Sequence, residues 1–376
     1  MCMRYSGESA EETIKGIHVH RFRPSIWKRL RNSVEDSHRH PRLERFIEVF
    51  QKAVTVPLYP QTLPITASLF FRAAKKLQSR EKFDLIVSEY HELESLLTGC
   101  RLMREFTGLK HAAILWDPVR GQIATTYLPA SYTGNRIGKL EDFVNAYASL
   151  QISMSSMRPY FVLHGDKVKE KRVFLDIPGV REPEPETPTG YLSLLKEGCI
   201  NVVFSGLLSP LQRDPLPIIR LLNSCDFAFR INLVFFSMGA KEAIEAAAGT
   251  FKGRIVHHDY IPLEELHSVY RHADYLLNVS HINHNMVPSK IFEYMSFGKP
   301  VISTFVTDGD AAAGYLESYP ESLCLDLKQE EEVNVAALNA FLSTEHKPVC
   351  YESVKRLFPG NVPDTYLKAM DDLLST

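Results

Sequence analysis

The stretch Asn278–Thr304, NVSHINHNMVPSKIFEYMSFGKPVIST, decides the fold. A β-branched run, a polar loop, a segment of helical period, a turn at Gly298 and a second β-branched run follow in close succession. That order describes a strand, a crossover helix and a neighbouring parallel strand. The junction of loop and helix is unusual. Pro288 suits the first helical position, which makes Val287 the cap residue, and valine has no side-chain oxygen for the first free N–H groups. With the Ser289 hydroxyl and the Lys290 cation, those donors form a cradle for a diphosphate. Ser289, Glu293 and Ser296 share one helical face while Ile291 and Met295 turn to the sheet, so Glu293 is expected to project toward a ligand. One turn beyond a phosphate site, it is placed to accept hydrogen bonds from both hydroxyls of a ribose. A solvated glutamate on an amphipathic helix is the plainer alternative.

Outward from this stretch the same alternation continues. Strands are expected at Asn201–Ser205, Ile231–Phe236, Arg254–His257, Tyr275–Ser280 and Pro300–Thr304, with helices between them and a helical tail over Val333–Ser343, Tyr351–Phe358 and Pro363–Leu374. Before it, strands are expected at Gly16–Phe22, Phe83–Glu89 and His111–Trp116, and helices near Thr66–Gln78, Glu92–Phe106 and Gly138–Ala148. Pro178–Gly190 (PGVREPEPETPTG) is too rich in proline and glutamate to continue a sheet. The reading is therefore α/β with a first domain over 1–177, a linker over 178–190, a second domain over 191–360, and a last helix over 361–376 returning toward the first. Ligands bind doubly wound sheets at the strand carboxyl ends, so a cleft between the two rows of ends is the expected site.

The residues HHDYIPLEELHSVYRHADYLLNVS, followed by VPSKIFEYMSFGKPVIST, resemble the nucleotide-sugar half of GT-B glycosyltransferases, the group 1, family 4-like retaining enzymes. The resemblance covers residues 201–325 well and the first domain loosely. It implies two Rossmann-like domains facing a cleft and transfer of a hexose from a nucleoside diphosphate-sugar, UDP-linked by preference, to a glycan or lipid-linked acceptor. It implies that Glu293 binds the ribose, that Ser289, Lys290 and the backbone at Met286–Val287 hold the diphosphate, and that Tyr260 and Ile261 flank the base. The donor is a co-substrate, and neither metal nor cofactor is expected. Two departures stand out. The family's basic pair after the first strand of this domain is reduced here to Arg213, beyond Gly206. Where its first paired acid would stand, eight residues before Glu293, there is Asn285, able to hydrogen-bond a sugar hydroxyl but not to carry negative charge. These departures keep open a second reading, a catalytically weak nucleotide-sugar binding partner of another transferase.

The start of the chain, MCMRYSGESAEETIKGIHVHRF, resembles the segment after the second strand of such enzymes, so the opening strand and glycine-rich loop are expected to be missing or built differently. Acceptor-side candidates are Glu89 and His91 after FDLIVS, and Trp116 and Asp117 after HAAIL, where an acid or imidazole at a strand end would position or deprotonate a sugar hydroxyl. Each alone reads equally as a cap or a polar group at the edge of the core.

Composition sets the outer limits. A chain of 376 residues, 45% of them hydrophobic, has material for two cored domains. Its net charge of −2 gives no global sign of nucleic-acid binding. Between Arg21 and Arg45, however, eight basic residues face three acids, interleaved with Ile26, Trp27 and Leu30. That segment is either a solvated loop or a contact with an anionic membrane surface. No apolar run is long enough to span a bilayer and the polar start is no secretory signal, so the expected location is cytoplasmic, peripheral at most to the inner membrane face. The six scattered cysteines, without a C-x-x-C pair, read as reduced.

Overall fold

The computed structural model describes residues 2–3, 9–23, 49, 53, 56–60, 64–90, 93–116, 128–282 and 287–376. The chain divides into two compact units, Met1–Leu175 with Leu367–Thr376, and Asp176–Tyr366.

In the first unit, Cys2–Met3 (β1), Glu11–Ile14 (β2) and Ile17–Phe22 (β3) form a small sheet in the order β1-β3-β2. The β2–β3 hairpin turns on Lys15 and Gly16, both at positive φ (49° and 81°), a conformation that glycine adopts without strain. The main sheet is parallel and follows chain order: Leu85–Glu89 (β4), Lys110–Leu115 (β5), Leu150–Met154 (β6) and Arg172–Leu175 (β7). The helix Pro64–Glu81 leads into β4, the helices Leu93–Glu105 and Ala130–Tyr147 connect β4 to β5 and β5 to β6, and Arg158–His164 lies between β6 and β7. The second of these places Leu96, Leu97 and Cys100 in the core against Ala113 and Leu115 of β5 and Ile137, Leu140 and Val144 of the third. Lys110 Nζ, donating to Leu373 O at 2.7 Å, ties Leu367–Thr376, which holds most of the last helix, Asp364–Ser375, to this unit.

The second unit is a six-stranded, all-parallel sheet: Ile200–Leu207 (β8), Ile231–Met238 (β9), Arg254–His258 (β10), Tyr275–Val279 (β11), Val301–Phe305 (β12) and Ser322–Asp326 (β13). Its spatial order is β10-β9-β8-β11-β12-β13. Numbered from β8, that is 3-2-1-4-5-6, the doubly wound order, with its switch point between β8 and β11. The four central strands, β9, β8, β11 and β12, are largely buried on both faces, and alternate residues serve two cores. Phe204, Leu233, Phe235, Leu277 and Ile302 pack with Ile218 and Leu222 of the helix Leu216–Ser224. Val203, Val234, Phe236, Leu276 and Val301 pack with the helices Leu263–His272 and Lys290–Ser296. Full burial of each such side chain contributes roughly 1.5–3 kcal/mol.

The proline-rich stretch lies along this unit. Val180 is buried, and its N–H bonds Asn361 O at 2.9 Å. Farther on, Thr187 N donates to Ser268 Oγ at 3.0 Å. Both units are Rossmann-like. Five strands of the described residues differ from the sequence expectation: β1, β2, β6, β7 and β13 form where none is expected. The third helix of the first unit begins at Ala130, eight residues before the expected start at Gly138.

Candidate functional site

At the switch point the chain gathers most of the expected phosphate and ribose residues. On the β8 face that carries Val203, the next position is Ser205, a polar residue at the carboxyl end of an apolar strand. Its hydroxyl meets the Tyr270 hydroxyl and lies 3.4 Å from that of Tyr294, while Ser205 N donates to Tyr294 Oη at 3.2 Å. Burial above all, with Tyr294 and Glu293 nearby, pushes Tyr270 well above its ordinary value, so it stays a neutral hydrogen-bonding group. Lys290 Nζ reaches Tyr270 Oη at 3.4 Å and Glu293 Oε2 at 2.9 Å. The other carboxylate oxygen of Glu293 lies 2.5 Å from His267 Nε2. Burial works against the Glu293 charge, but the His267 hydrogen bond and the Lys290 cation outweigh it and hold the carboxyl below its ordinary value of 4.5. Glu293 is thus an oriented anion, its side chain 21% exposed.

Arg213 returns to the strand end through a tight turn. Its N–H bonds Ser209 O at 2.7 Å, and Ser209 N bonds its carbonyl at 3.2 Å. The guanidinium then spans the switch point: Nε donates to Val279 O at 2.9 Å and Nη2 to Asn278 Oδ1 at 3.4 Å, both on β11. Burial lowers its affinity for the proton, while the Tyr294 and Tyr260 phenols favour the charge; an arginine remains a cation. His281, just past β11, is lowered by burial and by the Arg213 charge. Gly206 stands beside this group at φ 145°, where a side chain would sit 3.8 Å from Arg213 Nη1. Two fixed cations, a hydroxyl at Ser289 and a carboxylate acceptor make an arrangement that can hold an anion on one side and hydroxyl groups on the other.

Two expectations about the helix Lys290–Ser296, its cap and the face of Ser296, are corrected. Ser289, not Val287, occupies the helix cap; its side chain makes no capping hydrogen bond, and the helix runs from Lys290. The apolar Val287 side chain packs on the core instead. Ser296 does not share an open polar face with Glu293, being 4% exposed and bonded to Phe292 O at 2.7 Å. Ile261 is packed against the core while Tyr260 is 51% exposed. Glu89, in the first unit, accepts from Trp116 Nε1 at 2.5 Å across the adjacent ends of β4 and β5. Asn285, Met286, His91 and Asp117 lie outside the described residues, as does nearly all of the basic segment. Its first member, Arg21, is paired with Glu12.

Residues 216–324 match the family model of the glycosyl transferases, group 1. The match lies within the second unit, and the fold of the chain is GT-B, with two Rossmann-like units, as in the structures that follow. Sucrose-phosphate synthase from Thermosynechococcus elongatus is similar in fold, with a TM-score of 0.58 at 14% identity over 82% of this chain and 77% of that one. HepE from Anabaena, solved in complex with UDP-glucose, gives a TM-score of 0.56 at 14% identity over 81% of this chain and 82% of that one. HepE in complex with UDP gives 0.57 at 14% identity over 80% and 81%. Among curated proteins, none matches this sequence. His267 and His281 carry no sequence expectation. A clue to the first exists in its position three residues before Tyr270, hence on the same face of an amphipathic helix.

Proposed function

We propose that the chain is a retaining glycosyltransferase that moves a hexose from a UDP-linked donor to a glycan or lipid-linked acceptor. The observation that carries this reading is Glu293, an ionised and oriented carboxylate at the switch point of the unit whose residues 216–324 match the group 1 glycosyl transferases. A carboxylate offers about four acceptor sites, and His267 and Lys290 use two. The others accept from the ribose hydroxyls. Arg213, Lys290, Ser289 and the backbone at Met286–Val287 take the diphosphate, Gly206 lets it approach the sheet, and Tyr260 with Ile261 flanks the uracil. The UDP-glucose complex of HepE, on the same fold, supports uridine as the base.

As the bond from the anomeric carbon to the diphosphate breaks, negative charge grows on the leaving oxygen. Cations already fixed by Val279 and Glu293 stabilise that charge without reorganising. The acceptor oxygen bonds to the anomeric carbon from the face the diphosphate leaves, and its proton passes to the departing phosphate oxygen. Asn285 positions a sugar hydroxyl, and Glu89, His91 and Asp117 serve the acceptor side.

The test is to incubate the chain with UDP-, GDP- and ADP-hexoses and measure nucleotide release and transfer. Release of UDP from one UDP-hexose is expected. Binding of a UDP-hexose without turnover would mark a binding partner of another transferase, and neither binding nor turnover would overturn the reading.

A further inference from the structure

A cavity of about 380 Å³ in the first unit carries chemistry that the donor site does not use. It lies between the helices Leu93–Glu105 and Ala130–Tyr147, with the turn at Tyr59–Pro60 also lining it, and its size falls within the range of small-ligand clefts, about 300–1,000 Å³. The Tyr132 hydroxyl pins that turn by donating to Val56 O at 2.7 Å.

Among the described residues that line it, four are cations, Arg101, Arg104, Arg136 and Lys139, and none is an acid. Among the described residues these four form no ion pair. The acids of the two helices are engaged or directed elsewhere: Glu105 pairs with Lys75, Asp142 with Lys167, Glu141 lines a separate cavity, and Glu94 is buried. Two of the cations are held by aromatic rings. Arg101 lies 5.8 Å from the centroid of Phe71, and Arg136 lies 5.4 Å from that of Tyr132. Arg104 and Lys139 are exposed. Uncompensated charge of one sign around a concavity attracts an anion, and guanidinium groups match phosphate oxygens in pairs.

The floor has the opposite character. Leu97 and Leu140 are 5% and 7% exposed, with Leu93 and Phe143 beside them. A free phosphate would leave this apolar surface uncovered, whereas an aliphatic chain attached to the phosphate would cover it and gain affinity with each methylene buried. We propose that this groove binds an anionic amphiphile, a phosphate or diphosphate ester of a long aliphatic alcohol, with its head among the four cations and its chain along Leu97, Leu140 and Phe143. The site is independent of the donor assignment, and either can fail alone.

The experiment titrates the full chain with dodecyl phosphate below its micelle concentration, with inorganic pyrophosphate and dodecyl maltoside as competitors. Saturable one-to-one binding is expected, weakened by added salt. Pyrophosphate should bind at least about tenfold more weakly, and the neutral maltoside should not compete. Arg104→Gln combined with Lys139→Gln, at exposed positions, should weaken dodecyl phosphate about tenfold or more while leaving the melting temperature and UDP affinity unchanged. Absence of saturable binding would overturn the proposal. So would pyrophosphate as tight as dodecyl phosphate, which marks a bare anion site; maltoside as tight, which marks apolar adhesion; or an affinity unchanged in the double variant. The ligand comparisons on the unsubstituted chain decide the matter even if the variant folds poorly.

Discussion

Glu293 concentrates the residue-scale chemistry. Its carboxyl is depressed below 4.5 by His267 and Lys290. The stability this contributes is fully present above the ordinary carboxylate value and is lost as pH falls through the lower native value. Acid titration should therefore expose a transition in the wild-type chain that is absent, or shifted to higher pH, in His267→Ala, where one of the two stabilising partners is gone. UDP affinity, followed over the same range, should fall with the protonation of Glu293. Lys290, Glu293 and Ser289 are readable in the sequence because helical spacing relates them within one turn. His267 is not, because its partner lies 26 residues away on another helix and only packing brings the two together. The cap shows the limit from the other side. Proline preference points to a start at Pro288, but the apolar Val287 is drawn into the core and the helix begins two residues later.

At the scale of elements, the loop after β8 does the positioning. Arg213 replaces the missing hydrogen-bond neighbours of Val279 and Asn278 at a sheet end, so Arg213→Ala strands a buried carbonyl at a cost of about 1–3 kcal/mol. Melting of the chain should show that loss together with weaker UDP binding, whereas Arg213→Lys should recover part of the affinity but not the paired contact across β11. Gly206→Ala meets no close atom, the nearest being Phe204 Cζ at 3.5 Å, but forces a side chain onto φ 145°. Its expected cost is about 1–3 kcal/mol, read as a melting temperature lower by several degrees. The strands of the second unit are mostly legible as β-branched runs. β6, β7 and β13 are not, for physical reasons. β6 (LQISM) is wholly buried yet carries Gln151 and Ser153, satisfied by Asn145 and Arg172. β7 opens on Arg172, itself buried against Asp166. β13 has only Leu323 and Leu325 as strong apolar residues. Likewise Ala130–Ile137, with Gly134 and Asn135, is a poor helix by propensity and is recruited by Ile137 and Leu140 in the core.

For the whole molecule, near-neutral net charge conceals a sharp local division of labour. In the second unit, two cations flank one oriented anion at the switch point. In the first, four cations rim an apolar groove with no counter-charge among the described lining residues. Among the described residues, no helix is long and apolar enough to cross a membrane. The doubly wound order of the second unit grows out of the strand–loop–helix–strand pattern around Asn278–Thr304, and the GT-B fold combines it with the parallel sheet of the first unit. The sugar and the acceptor are set by side-chain geometry that periodicity does not encode. The central claim is that the switch point of the second unit holds a uridine nucleotide through Glu293. Isothermal titration of UDP into the wild-type chain and into Glu293→Gln tests it most directly. The account predicts saturable one-to-one binding by the wild type and an affinity about tenfold or more weaker for the variant, at a comparable melting temperature. Equal UDP affinity in the two proteins would contradict it.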